Sequence, residues 1–219
     1  MDVEKWMRRD VVTISPQDTL LKADRLMTAY QIRHLPVLDA QGNIMGILSD
    51  RDLRDHALPS GMGAAFPANQ QLLQSIAVEK IMTHKVFTVE QTEPMEKVVW
   101  LMKTKRINCL PITHQGRLSG LITSTILLNF LHAYMSMHPG QVRLEIALSA
   151  QADMAGLLTV LQQHQVAFTQ LHCLPAAQPP AVDVGLIVSS ADVEPLTQVL
   201  GKSPYHLVRV QPFQSEILS

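Results

Sequence analysis

One stretch of the chain carries polar side chains at a spacing that could do chemistry: Gly46-Ile47-Leu48-Ser49-Asp50-Arg51-Asp52-Leu53. Ser49 and Asp52 stand three apart, where an apolar run gives way to a polar, helix-like start. A carboxylate there can accept two donors at once. The beginning of a helix also favours a bound anion. The same spacing makes a capping box, with Ser49 as N-cap and Asp52 at the third helical position, and both readings stay open. Arg33, in Gln31-Ile32-Arg33-His34-Leu35-Pro36-Val37, has forked donors that suit phosphate, or else it is a solvated arginine on a turn. His34 beside it either reaches an anion or packs. There is no Ser-His-Asp pattern, no carboxylate pair at catalytic spacing and no phosphate-cradling glycine loop. An enzyme is therefore not expected.

These residues sit inside an internal repeat. Val3-Glu4-Lys5-Trp6-Met7 returns as Val78-Glu79-Lys80-Ile81-Met82, a spacing of 75 residues. At that spacing Thr13 meets Thr88, Lys22 meets Lys97, Leu26-Met27 meets Leu101-Met102, and Leu35-Pro36 meets Leu110-Pro111. One residue is then lost in a turn, and at a spacing of 74 Gly46 meets Gly120 and Leu53 meets Leu127. So many ordered matches define a duplicated unit. We divide the chain into a first repeat over 1–60, a connector over 61–75, a second repeat over 76–136 and a further domain over 140–213.

Within the first copy, Val11, Val12 and Ile14 read as a short strand. Ser15-Pro16-Gln17-Asp18 reads as a helix start, with Ser15 as N-cap. Leu20, Ala23, Leu26, Met27 and Tyr30 recur at helical spacing. Leu35 to Leu38 and Ile44 to Leu48 form a hairpin about the turn Asp39-Ala40-Gln41-Gly42, and a last helix begins near Ser49. The second copy repeats this with a strand over Val86 to Val89, a helix from about Pro94 to Lys105, strands over Leu110 to Ile112 and Leu118 to Ile122, and a helix to about Tyr134.

The unit resembles the cystathionine-β-synthase-type (CBS) repeat over nearly the whole length of both copies. The resemblance implies a paired module, a Bateman module, with nucleotide clefts between the copies. In that family the Gly-h-x-(Ser/Thr)-x-x-Asp motif places its Asp on both ribose hydroxyls. Here that implies ribose binding by Asp52, with Ser49 and Arg51 near ribose or phosphate. It implies phosphate binding by Arg33, with His34 a second candidate. It also implies adenine contacts from Thr13, Ile14, Leu35 and Pro36, although the last three are equally core residues. The second copy keeps the hydroxyl as Thr123 but has Ile126 for the Asp and Asn108 for Arg33. An isoleucine cannot accept from a diol. One competent site is expected, with Arg106 able to reach a shared cleft. The regulatory ligand implied is ATP, ADP, AMP or a related adenosine compound, and no cofactor is expected.

After Met137-His138-Pro139-Gly140 the pattern changes. Val142, Leu144, Ile146 and Leu148 alternate; a helix follows from Asp153, a strand over Val166 to Leu174, a loop over Pro175 to Pro180, a strand over Val182 to Val188, a helix over Asp192 to Leu200 and a strand over Tyr205 to Val210. The order β-α-β-β-α-β is that of a ferredoxin-like split unit. With Asp153-x-x-Gly156-Leu157 it resembles an ACT domain, which implies amino-acid binding or pairing. Two CBS repeats ahead of an ACT-like domain are similar to the arrangement of acetoin-utilisation AcuB-type proteins. The fold class expected is α+β.

Bulk composition supports a folded protein. Of 219 residues 47% are hydrophobic and 17% charged, which allows a sizeable core. The net charge of −1 argues against general binding to nucleic acid or anionic membrane. The two cysteines, Cys109 and Cys173, lie in apolar runs and read as buried hydrophobes, without disulfide or metal spacing. Met27, Met95 and Met102 read as core, and His56, His84 and His114 as turn or surface groups. No signal peptide or membrane span is expected, and the chain reads as cytoplasmic. A homodimer is expected, with a regulated enzyme or transporter as partner. The His56 to Ser75 segment is expected to be a mobile connector. The alternatives are a structural interaction module with vestigial sites and an amino-acid sensor acting through the ACT-like domain.

Overall fold

The computed structural model describes residues 2–57, 67–148, 154–175, 182–201 and 205–213, the side chains at 56, 57, 67–69, 174 and 175 aside. The chain divides into two compact units, Met1–Phe130 and Leu131–Ser219.

In the first copy, α1 (Leu20–Ala29) buries Leu20, Ala23 and Met27 along one face. Its N-cap is Thr19, whose hydroxyl accepts the Lys22 N–H at 3.3 Å. Ser15 is not the N-cap: Ser15 to Asp18 close a turn of their own, with Asp18 N–H on Ser15 O at 3.1 Å and Asp18 accepting the Ser15 N–H at 3.0 Å. Tyr30 ends the helix and is 54% exposed, so it does not join the apolar face. Strands β1 (His34–Leu38) and β2 (Ile44–Ser49) form an antiparallel hairpin. The expected strand at Val11 to Ile14 shrinks to a single parallel bridge, Ile14 on Val37. Helix α2 (Asp50–Ala57) follows β2 directly. Part of the expected connector is regular: α3 (Pro67–Ser75) is a helix that sends Leu73, 2% exposed, into the core. Residues 58–66 lie outside the described residues.

The second copy repeats the scheme with β3 (Val89–Glu90), α4 (Met95–Lys105), β4 (Cys109–His114), β5 (Arg117–Thr123) and α5 (Ser124–Met135). Strand β3 pairs parallel to β4, and β4 antiparallel to β5. The residue missing from this copy is lost at the hairpin. Gln115 and Gly116 both adopt positive φ in a tight turn, whereas only Gly42 does so in the longer Asp39–Asn43 loop.

The copies are joined by exchanged leaders. The 3₁₀ turn Val3–Lys5, which precedes the first copy, packs Val3 and Met7 into the core of the second with Met95, Val98 and Ile112. The matching turn Val78–Lys80 packs Val78 and Met82 into the core of the first with Leu20, Val37 and Leu48. Each leader continues as an antiparallel bridge to the other copy, Arg8 to Leu121 and Thr83 to Ile47. This places the two glycines. A Cβ on Gly46 would lie 2.6 Å from Met82 Sδ and 3.0 Å from Thr83 O; one on Gly120 would lie 2.6 Å from Met7 Sδ and 2.9 Å from Arg8 O. Each core thus draws a valine and a methionine from the leader of the other repeat.

The second unit runs β6 (Gln141–Leu148), α6 (Met154–Gln163), β7 (Phe168–Pro175), β8 (Val182–Ser189), a 3₁₀ turn Ser190–Asp192, α7 (Val193–Leu200) and β9 (His206–Pro212). The elements follow the β-α-β-β-α-β order, and the sheet order is β7-β8-β6-β9, antiparallel throughout. Val142, Leu144, Ile146 and Leu148 alternate into a core with Leu157, Leu161, Leu196 and Leu200 from the helices. The expected turn at Asp153 and residues 176–180 of the expected loop lie outside the described residues, while Pro175 ends β7. Cys109 is buried as expected, but Cys173, on the edge strand β7, is exposed.

Candidate functional site

The Ser49-x-x-Asp52 motif falls at the junction of β2 and α2, and there the capping box forms. Asp52 Oδ2 accepts the Ser49 N–H at 2.8 Å and the Ser49 hydroxyl at 2.7 Å, while Ser49 Oγ accepts the Asp52 N–H at 3.2 Å. Both residues are half-buried. The second copy shows what the carboxylate adds. Thr123 Oγ1 accepts the Ile126 N–H at 3.4 Å, but no acid reaches back to the N-cap.

His34 stands directly across the hairpin from Ser49. Burial pushes its imidazole below the ordinary histidine value, and the adjacent Arg33 charge pushes the same way; Asp50 and Asp52 pull it back up. Two acids and two bases thus meet at the end of this hairpin. The Arg33 carbonyl accepts the Asp50 N–H at 3.0 Å, which ties the start of β1 to the start of α2, while the Arg33 side chain is exposed. Arg51 is exposed on the first turn of α2. Asp50, which sequence reasoning did not single out, also pairs with Arg54 at 3.1 Å. Its position in the first helical turn beside the motif was the available signal.

The apolar candidates divide. Ile14 donates its N–H to Pro36 O at 3.1 Å, so Thr13 and Ile14 run alongside β1. Ile14 is 4% exposed and Leu35 fully buried, both within the first copy's core; Thr13 is half-buried. In the second copy Asn108 takes the place of Arg33, with Ser124 N–H on Asn108 O at 3.1 Å and the Ser124 hydroxyl on Asn108 Oδ1 at 3.3 Å. Arg106 is exposed and left-handed at φ 53°, matching Gln31 at 52° in the first copy. The structure thus brings Thr13, Arg33, His34, Pro36, Ser49, Arg51 and Asp52 to one repeat, and Arg106 and Thr123 to the other. Among the described residues no group of three or more His, Cys, Asp or Glu could hold a metal ion. No helix among them is long and apolar enough to cross a membrane.

A duplicated hairpin-and-helix unit, closed by exchanged leaders and bearing a polar cluster on one copy only, defines a paired-repeat module. The CBS domain family matches residues 2–58 and 78–133. The chain belongs to the CBS domain-containing proteins. It is 32% identical over 143 residues to a CBS domain-containing protein of Dictyostelium discoideum, an alignment covering 64% of this chain and 97% of that one. The crystal structure of an acetoin utilization protein, AcuB, from Vibrio cholerae is 28% identical, with a TM-score of 0.51 over 61% of this chain and 92% of that one. The CBS domain pair of protein MJ0100, solved in complex with 5′-methylthioadenosine and S-adenosyl-L-methionine, shares the fold at 22% identity and a TM-score of 0.50, over 61% of this chain and 97% of that one.

Proposed function

We propose that the CBS pair is a non-catalytic sensor that binds ATP, ADP, AMP or a related adenosine compound in its first repeat. The reading is carried by one observation: Arg33, His34, Ser49 and Asp52 cluster at the end of the β1–β2 hairpin, while the second copy has Asn108 and Ile126 at the matching positions. The adenosine compounds held by the CBS pair of MJ0100 show what this fold accommodates in that protein. In this reading the ribose diol takes over Asp52 from its cap, and Arg33 meets the phosphate. Because Asp52 Oδ2 already accepts two bonds from Ser49, binding must offset the loss of a cap, about 1 kcal/mol.

The finer assignments belong to the same proposal. The second unit is ACT-like, which its strand order supports. The protein is a cytoplasmic homodimer that regulates an enzyme or transporter. The closed Ser49–Asp52 cap favours one rival, a structural interaction module with vestigial sites. Calorimetry with ATP, ADP, AMP and S-adenosylmethionine separates them. The sensor reading expects heat with at least one compound and binding weakened about tenfold or more by Asp52→Asn. Absence of heat from all four in the folded protein establishes the rival.

A further inference from the structure

His34 and Ser49, both half-buried, face each other across the β1–β2 hairpin, at the point where Ser49 holds Asp52. Directly opposed residues of an antiparallel pair point to the same side of the sheet. The imidazole therefore shares a face with the Ser49–Asp52 cap. The charges acting on it are Asp50 and Asp52 of α2 and Arg33 at the entry to β1. Strand β2 carries no charge, and no charged residue of α1, of the segment beside β1 or of the Val78 leader acts on His34.

The second copy lacks this arrangement. There Cys109 faces Thr123 across the hairpin, and Asn108, Ser124 and Ile126 stand where the first copy has Arg33, Asp50 and Asp52. Burial pushes the Cys109 thiol up to about 12, so it stays neutral. Four ionisable groups that change charge or carry it in one repeat are thus matched by uncharged ones in the other. The second copy builds the same hairpin and helix without them, so the cluster is not a requirement of the fold.

Asp50 is paired with Arg54 at 3.1 Å. Burial keeps His34 neutral at neutral pH. A phosphate reaching this end of the hairpin then meets one guanidinium, Arg33, beside the carboxylate of Asp52. A proton on His34 changes the balance, because it adds a second cation where half-burial makes charges act more strongly than in open water. A bound phosphate in turn stabilises the imidazolium, whereas ribose and adenine, being uncharged, do not. We infer that His34 ties this site to protons: an adenosine compound carrying phosphate binds with uptake of a proton at His34, and one without phosphate does not. The inference rests on the nucleotide reading of the first repeat and adds to it a selectivity and a pH dependence.

The sign follows from linkage. Between the value His34 has alone and the higher one it has beside phosphate, binding takes up a proton. Affinity therefore rises as pH falls through the second value and levels off below the first, by at most about tenfold per pH unit for one proton. The test follows the His34 ring of the full chain by NMR from about pH 5 to 8, alone, with adenosine and with AMP, with calorimetry at the same pH values. AMP is expected to raise the His34 titration by about one pH unit and to bind several-fold more tightly in the acid half of the range. Adenosine should leave the titration and its own affinity unmoved. The AMP phosphate itself titrates at about pH 6, so the pH dependence is read as the difference between the native chain and His34→Gln. AMP bound with the His34 titration unmoved, an equal shift with adenosine, or the same AMP slope in His34→Gln overturns the inference and leaves the sensor reading standing. Binding of neither compound at any pH sinks both. If His34→Gln does not fold, the ring titration of the native chain decides alone.

Discussion

Replacing Gly46 by alanine tests the exchanged leaders. The new methyl would fall 2.6 Å from Met82 Sδ, 2.9 Å from its Cγ and 3.0 Å from Thr83 O, all on the leader of the other repeat. The thioether can move, but the carbonyl is held by the Ile47–Thr83 bridge, with Ile47 N–H on Thr83 O at 3.0 Å. Overpacking of this kind costs about 1–3 kcal/mol. Met82→Ala alone costs about 2–5 kcal/mol by emptying a core site. In the double variant the sulfur clash is gone and only the Thr83 contact remains, so the two costs should fall short of additivity by about 1 kcal/mol. Urea unfolding measures this, read by circular dichroism and by tryptophan fluorescence. Trp6 stacks edge-on to Phe130 at 5.1 Å against the second copy's core, and the other tryptophan, Trp100, lies on α4 of the same copy, so the emission reports on the half opposite Gly46. Full additivity would refute the Gly46–Met82 contact. A shifted dichroism transition with unmoved fluorescence would refute the coupling of the two halves.

Other consequences can be measured separately. His34 takes a proton less readily folded than unfolded, so the unfolded chain binds more protons just below the ordinary histidine value. Stability should fall as pH drops through that value toward the folded one, and His34→Gln should flatten this part of the pH–stability profile. Asp24 has the opposite sign of linkage: burial raises its carboxyl against the opposing Arg25 charge, so its contribution to stability is lost as pH rises from the ordinary carboxylate value through its own raised one. Asp24→Asn should raise the thermal midpoint at neutral pH, with the gain vanishing in acid. Burial pushes the Cys109 thiol up to about 12, whereas Cys173 is exposed. Native protein should react with a thiol reagent rapidly at Cys173 alone, and at Cys109 only on unfolding, as Cys173→Ser would show.

Much of this architecture was legible because its signals are local. Two copies in register placed both hairpins and both closing helices, and alternation in Val142 to Leu148 gave a strand with one buried face. The first copy's helix starts at Thr19 and not at Ser15, because a Ser-Pro-x-Asp turn and a helix cap use the same residues, whereas the second copy's helix starts at Pro94 as expected. The exchange of leaders was hidden for a different reason. Val3 and Val78 are equivalent by sequence, and equivalence says nothing about which core each one fills. Gly46 and Gly120 recur at the repeat spacing, which does not disclose the Met that approaches each of them. At the site, Ser49 and Asp52 were recognised as both cap and receptor, and the hydrogen bonds realise the cap.

Threading each repeat's opening turn into its sibling ties their fates together. A fragment carrying residues 2–57 alone would bring an arm made for an absent host and would lack the valine and methionine that seal its own interior. Such halves could become whole only by lending arms to one another, so severing the chain between them favours association over two tidy monomers.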